Sequence, residues 1–242
     1  MGKRNDEEQY AERAERVAEL SELLGEPSFI QKCSYGMTML ETWVAEYNKR
    51  FEQLHGRSAV DSVSSRIKSA ESVAGKLERK GYEISYTNAV HRLNDLAGIR
   101  VVCSFRDDVY SMADYLMQCP KLKVVKVKDY IKKPKSSGYQ SIHLIVDVDY
   151  PLGWDGETVR VEIQIRTVAM NYWAKLDHQL CYKAGERRSG EIAGIRQELR
   201  RYAEEIAKID QKMLVLRKKI EALDNGQKPI VLHETYKTIT QT

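Results

Sequence analysis

Ile195, Leu199, Tyr202, Ile206, Ile209, Met213, Leu216, Ile220 and Leu223 recur in alternating steps of four and three. A stripe of that period, kept up for about four heptads, demands one long helix whose apolar seam must be covered. Two covers are open: the chain's own N-terminal helices, or another subunit. A helix this long outruns the core that 242 residues can build, so the fold has to be found in the chain before it.

That chain is punctuated by Pro27, Pro120, Pro134 and Pro151, each disfavoured inside a helix or a central strand. A first helix carries Val17, Leu20 and Leu24 and ends at Pro27, and a second runs from about Met37 to Leu54 and closes at Gly56. A strand-like segment, Ala59–Lys68, feeds a helix over Ala70–Lys80 that Gly81 stops. Helix Ala89–Leu96 leads through Gly98 into strand Ile99–Phe105, and helix Asp107–Cys119 follows. Strands are then expected over Leu122–Val127, Ser141–Val148 and Thr158–Arg166, with a helix over Val168–Tyr182. Strands mixed with helices and flanked by helices at both ends give an α+β core with helical wings.

Composition narrows the function. At 31% charged and 42% hydrophobic residues the chain can bury a real core, and a net charge of +4 is too balanced for a general nucleic-acid coat. No apolar run approaches the roughly 18 residues of a membrane span, and the first residues lack the apolar stretch of a signal peptide. A cytoplasmic protein is expected. Cys33, Cys103, Cys119 and Cys181 are scattered without metal-ligand spacing, so reduced thiols packed as small core residues are expected. No phosphate loop, dinucleotide fingerprint or Gly-x-Ser-x-Gly elbow occurs.

Four segments carry possible chemistry, and each has a plain structural alternative. Arg66 and Lys68 share one face of an extended segment, and Ser72, Lys76 and Arg79 follow at i, i+4 and i+7 on one helix face. Val73 and Leu77 would anchor that helix to the core. This is either a polyphosphate site at a strand-to-helix junction or a solvated charged stripe. In Val159–Thr167, Val159, Val161, Ile163 and Ile165 point one way, and Arg160, Glu162, Gln164 and Arg166 the other. That polar front is either a solvated sheet face or a carboxylate set among cations. Asp95 is a second candidate carboxylate, and two together could hold Mg²⁺ along with substrate phosphates. The basic loop from Lys128 through Lys135 to Tyr139 and His143 suits a nucleotide, by stacking and phosphate neutralisation, or is an ordinary hairpin loop. Asn171, Lys175 and His178 share a side of the next helix, where an Asn amide could read a base edge, while Trp173 and Leu180 fit its buried stripe.

Taken together, Arg66–Arg79, Asp95–Arg100, Ser137–His143 and Val161–Thr167 running into Ala169–Ala174 resemble the synthetase domain of the RelA/SpoT family. The likeness is to its single-domain small alarmone synthetases, and it spans about Phe51 to Lys183 in order and spacing. It implies a mainly antiparallel mixed sheet of about five strands, nucleotidyltransferase-like, covered by helices. It also implies transfer of the β,γ-pyrophosphate of ATP to the 3′-hydroxyl of GDP or GTP, releasing AMP. By the family pattern Arg66 and Arg100 sandwich adenine, and Lys68, Ser72, Lys76 and Arg79 hold the ATP phosphates. Asp95 binds Mg²⁺, and Glu162 sits beside the metal and accepts the hydroxyl proton. Tyr139 stacks on guanine, Asn171 bonds its edge, and Lys128, Lys135, His143 and Gln164 face the acceptor's phosphates.

Three parts are expected: a helical extension over 1–56, a synthetase core over 57–183, and a long helix with a mobile tail over 184–242 that serves oligomerisation. The flanks carry no His-Asp metal motif, so synthesis without hydrolysis is expected. The resemblance further implies a homotetramer through the terminal helices, and in some members an alarmone activator. Neither a membrane nor a stable nucleic-acid partner is expected. Two other readings stay open: a toxin-like relative acting on tRNA or adenine nucleotides, and a non-catalytic oligomeric nucleotide- or RNA-binding module.

Overall fold

The structure, a computed structural model, describes residues 2–152, 156–184 and 189–224, with side chains over 8–152, 156–180 and 194–223. Helices α1 (Gly2–Gly25) and α2 (Pro27–His55) precede β1 (Val60–Ile67), α3 (Ala70–Arg79), α4 (Tyr86–Arg92), β2 (Ala97–Cys103) and α5 (Arg106–Met117). Then come β3 (Leu122–Asp129), β4 (Ile142–Asp149), β5 (Thr158–Thr167), α6 (Val168–Ala184) and α7 (Ser189–Asp224). The five strands form one sheet in the order β1-β2-β5-β4-β3. Only β2 and β5 run parallel; the other neighbours are antiparallel, as the mixed, mainly antiparallel expectation has it.

The alternation in β5 decides the layers. Val159, Val161, Ile163 and Ile165 are all buried on the back of the sheet, paired in register with Val148, Val146, Leu144 and Ile142 of β4. Against this back lie Leu40, Trp43 and Val44 of α2 and Val109, Met112 and Leu116 of α5. Each such side chain contributes about 1.5–3 kcal/mol on leaving water. Gly36 marks the closest approach of α2, because a Cβ there would stand 2.5 Å from Val159 Cγ1. The front of the sheet stays polar.

Three boundaries depart from the sequence reading. Pro27 begins α2 rather than merely ending α1, since the first helical residue needs no amide hydrogen. Helix α4 is shifted towards the N-terminus: Ser85 caps it by accepting from Asn88 N (3.2 Å), and Leu93 is already extended. Residues 93–96 therefore form an irregular turn that buries Leu93 and Leu96 and presents Asp95. Strand β2 starts at Ala97 because its pairing with β1 begins there, at Ile67.

The long helix is where expected, but most of its seam is not the buried face. Leu199, Ala203, Leu214 and Ala222 face the protein, whereas Tyr202, Ile209, Met213, Leu216, Ile220 and Leu223 are 41–60% exposed. The chain's own N-terminal helices do not cover this stripe. Leu180 of α6, expected in a buried stripe with Trp173, is exposed, while Trp173 is buried. The tail beyond Asp224 and the side chain of Cys181 lie outside the described residues. Among the described residues no helix is long and apolar enough to cross a membrane.

Candidate active site

The polar front of the sheet is assembled by register. Arg66 of β1 stands beside Gly98 of β2, and Gly98 beside Glu162 of β5. One step along, Arg100, Gln164, His143 and Lys128 line up across β2, β5, β4 and β3. Gly98 places no side chain between Arg66 and Glu162. A hollow of about 90 Å³ opens there, lined by Arg66, Asp95, Arg100, Glu162 and Gln164. It deepens the floor of a larger cleft of about 790 Å³, whose wall also includes Lys76, Lys128, Lys135, Tyr139 and His143.

Two carboxylates face this hollow, each held differently. Asp95 Oδ2 accepts from Lys68 Nζ at 2.6 Å and pairs with Lys76 Nζ at 2.7 Å, while its Oδ1 is buried without a partner. Burial alone would push its pKa up, but the two lysines outweigh it and hold the carboxyl below the ordinary range. Glu162 Oε1 lies 3.1 Å from His143 Nδ1, and Oε2 accepts from Gln164 Nε2 at 2.8 Å. Burial again pushes up; His143 and Gln164 prevail over burial and over the nearby Asp95 charge, so Glu162 also titrates low.

Helix α3 carries the cations of one end. Its apolar face, Val73 and Leu77, is buried against Leu20 and Leu24 of α1 and Leu93 and Leu96 of the turn. Arg13 of α1 ties it further, to Glu71 (2.7 Å) and Glu78 (2.8 Å). Lys76 enters the cleft wall, but Ser72 and Arg79 are exposed on the helix outside it. Ser69, which the sequence reading passed over, caps α3 by accepting from Ser72 N.

The other end is aromatic and basic. Tyr139 shares its hydroxyl with His143 Nε2 (2.9 Å), so Tyr139, His143 and Glu162 form one hydrogen-bonded chain. The loop before Tyr139 leans on α7: Gly138 has φ +94°, and a Cβ there would meet Ala203 Cβ at 2.6 Å. Trp173 donates to the carbonyl of Leu199 (2.9 Å) and packs with Leu199, Ala203 and Tyr139. Asn171 stands outside the cleft wall, with its Oδ1 buried and unpartnered.

Sequence reasoning gave no role to several members of the wall, among them Tyr130 and Arg166. Tyr130 approaches His143 edge-on, 5.1 Å between centroids. Arg166 is only 3% exposed, its Nε has no partner, and its pKa is pushed down to about 10, first by burial and then by Arg100 and Arg66. Both signals were available: Arg166 alternates with Glu162 and Gln164, and Tyr130 is one of the tyrosines that interrupt the basic loop. Arg100 likewise has an unpartnered Nε and a lowered pKa, from burial and from Arg66. Three guanidinium groups crowded together leave the cleft strongly positive, the condition for holding anions.

A basic cleft with aromatic rings in its wall and two carboxylates at its floor, on a mixed five-stranded sheet, has the chemistry that suits phosphorylated ligands. Comparison with known proteins makes this specific. The family described as "Region found in RelA / SpoT proteins" matches residues 65–187. The GTP pyrophosphokinase YwaC of Bacillus subtilis (strain 168) is 37% identical over 187 residues, 77% of this chain and 88% of that protein. YjbM, a GTP pyrophosphokinase of the same strain, is 36% identical over 174 residues, 71% of this chain and 78% of the relative. The crystal structure of small alarmone synthetase 1 from Bacillus subtilis bound to its product pppGpp superposes with a TM-score of 0.70 at 30% identity. It covers 80% of this chain and 96% of its own. Small alarmone synthetase 2 of that organism gives 0.67 at 36% identity, covering 78% and 96%. The chain belongs to the RelA/SpoT family, with small alarmone synthetases as its structural neighbours.

Proposed function

We propose that the chain transfers the β,γ-pyrophosphate of ATP to the 3′-hydroxyl of GDP or GTP, releasing AMP. It is a GTP pyrophosphokinase, the activity named for both Bacillus relatives. The observation that carries the reading is the shared hollow of Asp95 and Glu162, with one cation set on the α3 side and another on the β3 side. Two polyanions must meet, and separate cation sets let each be neutralised before they do.

In this reading Arg66 and Arg100 flank adenine, and Lys68, Lys76, Ser72 and Arg79 take the ATP phosphates. Tyr139 stacks on guanine and Asn171 serves its edge, with Lys128, Lys135, His143 and Gln164 towards the acceptor's phosphates. The acceptor's 3′-oxygen attacks the β-phosphorus, and the bond from that phosphorus to the bridging oxygen of the α-phosphate breaks, so AMP leaves. Glu162, ionised at neutral pH, accepts the hydroxyl proton, and His143 and Gln164 keep the carboxylate aimed. Phosphoryl-type transfer needs positioning and charge neutralisation more than covalent catalysis.

The residues fit a divalent cation. Asp95 Oδ1 is buried and unpartnered beside a second carboxylate, and Mg²⁺ characteristically takes one or two carboxylates plus phosphate oxygens. Bound to Asp95 and Glu162, Mg²⁺ would neutralise the phosphates and polarise the β-phosphorus.

The exposed seam of α7 supports assembly through the terminal helices, as a homotetramer. We infer synthesis without hydrolysis, in the cytoplasm. The test is purified protein with Mg²⁺ and γ-labelled ATP, offered GDP, GTP, AMP or tRNA and resolved by thin-layer chromatography. Label on GDP or GTP is expected, and label added as ppGpp should persist. Label confined to AMP or tRNA overturns the acceptor assignment.

A further inference from the structure

Arg160 stands on the polar front of β5 two residues before Glu162, outside the cleft wall, and the proposed chemistry gives it no part. Its register partner on β4 is Asp147, only 7% exposed. The two meet as a fork: Arg160 Nε donates to Asp147 Oδ1 (2.8 Å) and Nη2 to Oδ2 (3.0 Å). A bidentate pair fixes the plane of a guanidinium, and with it the direction of the remaining donor. That donor, Nη1, bonds Asn94 Oδ1 at 3.2 Å, and Asn94 is the residue before Asp95.

The turn that presents Asp95 is tied on one side by the buried Leu93 and Leu96, and by Lys68 N donating to Leu96 O (2.8 Å). Lys68 and Lys76 reach Asp95 itself through long, flexible side chains. Behind the turn opens a cavity of about 640 Å³ whose lining includes Leu93, Asn94, Asp147 and Arg160. Packing is interrupted there, and the Arg160 bond spans from sheet to turn. We propose that Arg160 is a positioning residue: anchored on Asp147, it holds Asn94 and so sets where the Asp95 carboxylate stands relative to Glu162. Both carboxylates then take their place from β5, Glu162 through its own backbone and Asp95 through Arg160. A cation held by both needs their separation kept to within about 0.5 Å. The inference rests on the reading of Asp95 and Glu162 as metal ligands, and it adds a residue that acts through Asn94 alone.

The test is calorimetric titration of the full chain with the non-cleavable analogue α,β-methylene-ATP, with and without Mn²⁺. What is read is the factor by which the metal tightens binding. Asn94→Ala removes the acceptor, and Arg160→Lys keeps a cation for Asp147 but loses the fork. Each should cut the metal factor about fivefold or more and leave metal-free binding within about twofold. The double variant should lose no more than the worse single one, since both changes break one link. Turnover with Mg²⁺ should show the same split, kcat falling while KM for GDP stays within about twofold. A merely structural role would lower the melting temperature and leave the metal factor alone, and that result overturns the assignment, as do losses that add in the double variant. Asp95→Asn separates the failures. If it abolishes the metal factor while Asn94→Ala and Arg160→Lys leave it intact, only the role of Arg160 falls. If it leaves the factor unchanged, the metal reading falls and takes this inference with it.

Discussion

Glu162 shows how single residues divide between fold and chemistry. Its carboxylate is held below the ordinary range although burial opposes this, because His143 and Gln164 bond both oxygens. Replacing it by Gln should lower kcat by about two to four orders of magnitude and leave ATP affinity within about twofold, read by turnover and by calorimetry. Asp95 is depressed in the same way. A carboxylate with a lowered folded pKa stabilises above its unfolded value, near 4, and that contribution fades as pH falls through the folded value. The acid limb of turnover should therefore lie below about pH 4 for these two groups, and a limb near pH 6 would assign it elsewhere. Arg166 goes the other way. A buried guanidinium crowded by Arg66 and Arg100, with Nε unpartnered, costs the fold stability. Arg166→Leu should raise the melting temperature by a few degrees while abolishing turnover, the trade expected where a site stores unfavourable charge. These roles were partly legible: alternation put Glu162, Gln164 and Arg166 on one face, but only the β2–β5 pairing brings Asp95 beside them. A parallel pair between strands so far apart leaves no local trace in sequence.

At the scale of elements, the segment that carries Asp95 reads as the end of a helix in sequence and is an irregular turn in the structure. Tertiary burial decided this, since Leu93 and Leu96 both contribute to the cluster between α1 and α3. The α7 stripe teaches a similar lesson. Its period identified a helix correctly, yet which face turns inward was set by small residues, Ala203 and Ala222, that a hydrophobic pattern underweights. Asp210 sits on that inward face, 7% exposed, its Oδ2 accepting from Thr167 Oγ1 at 3.1 Å. Burial pushes its pKa up, against the pull of Thr167 and Arg106. A carboxyl raised on folding destabilises once ionised, so its cost appears as pH rises through the folded value and is absent below about pH 4. Asp210→Asn should therefore raise stability more at neutral pH than at pH 4, measured by urea titration. Equal effects at both pH values would contradict the burial account.

For the whole molecule, the sheet places its apolar back on α2 and α5 and leaves a polar front whose two ends, in the function proposed above, serve different nucleotides. The exposed face of α7, from Tyr202 to Leu223, has the period of a seam between copies. Leu216→Glu should shift the species seen by light scattering to a smaller assembly; an unchanged mass would remove this face from the interface. The central claim, pyrophosphate rather than single-phosphate transfer, is best tested by ³¹P NMR of the reaction of ATP with GDP and Mg²⁺. The account predicts AMP and a guanosine product with a new 3′-diphosphate, in equal amounts. ADP with GTP as the product pair, or ATP consumed without AMP, would contradict it.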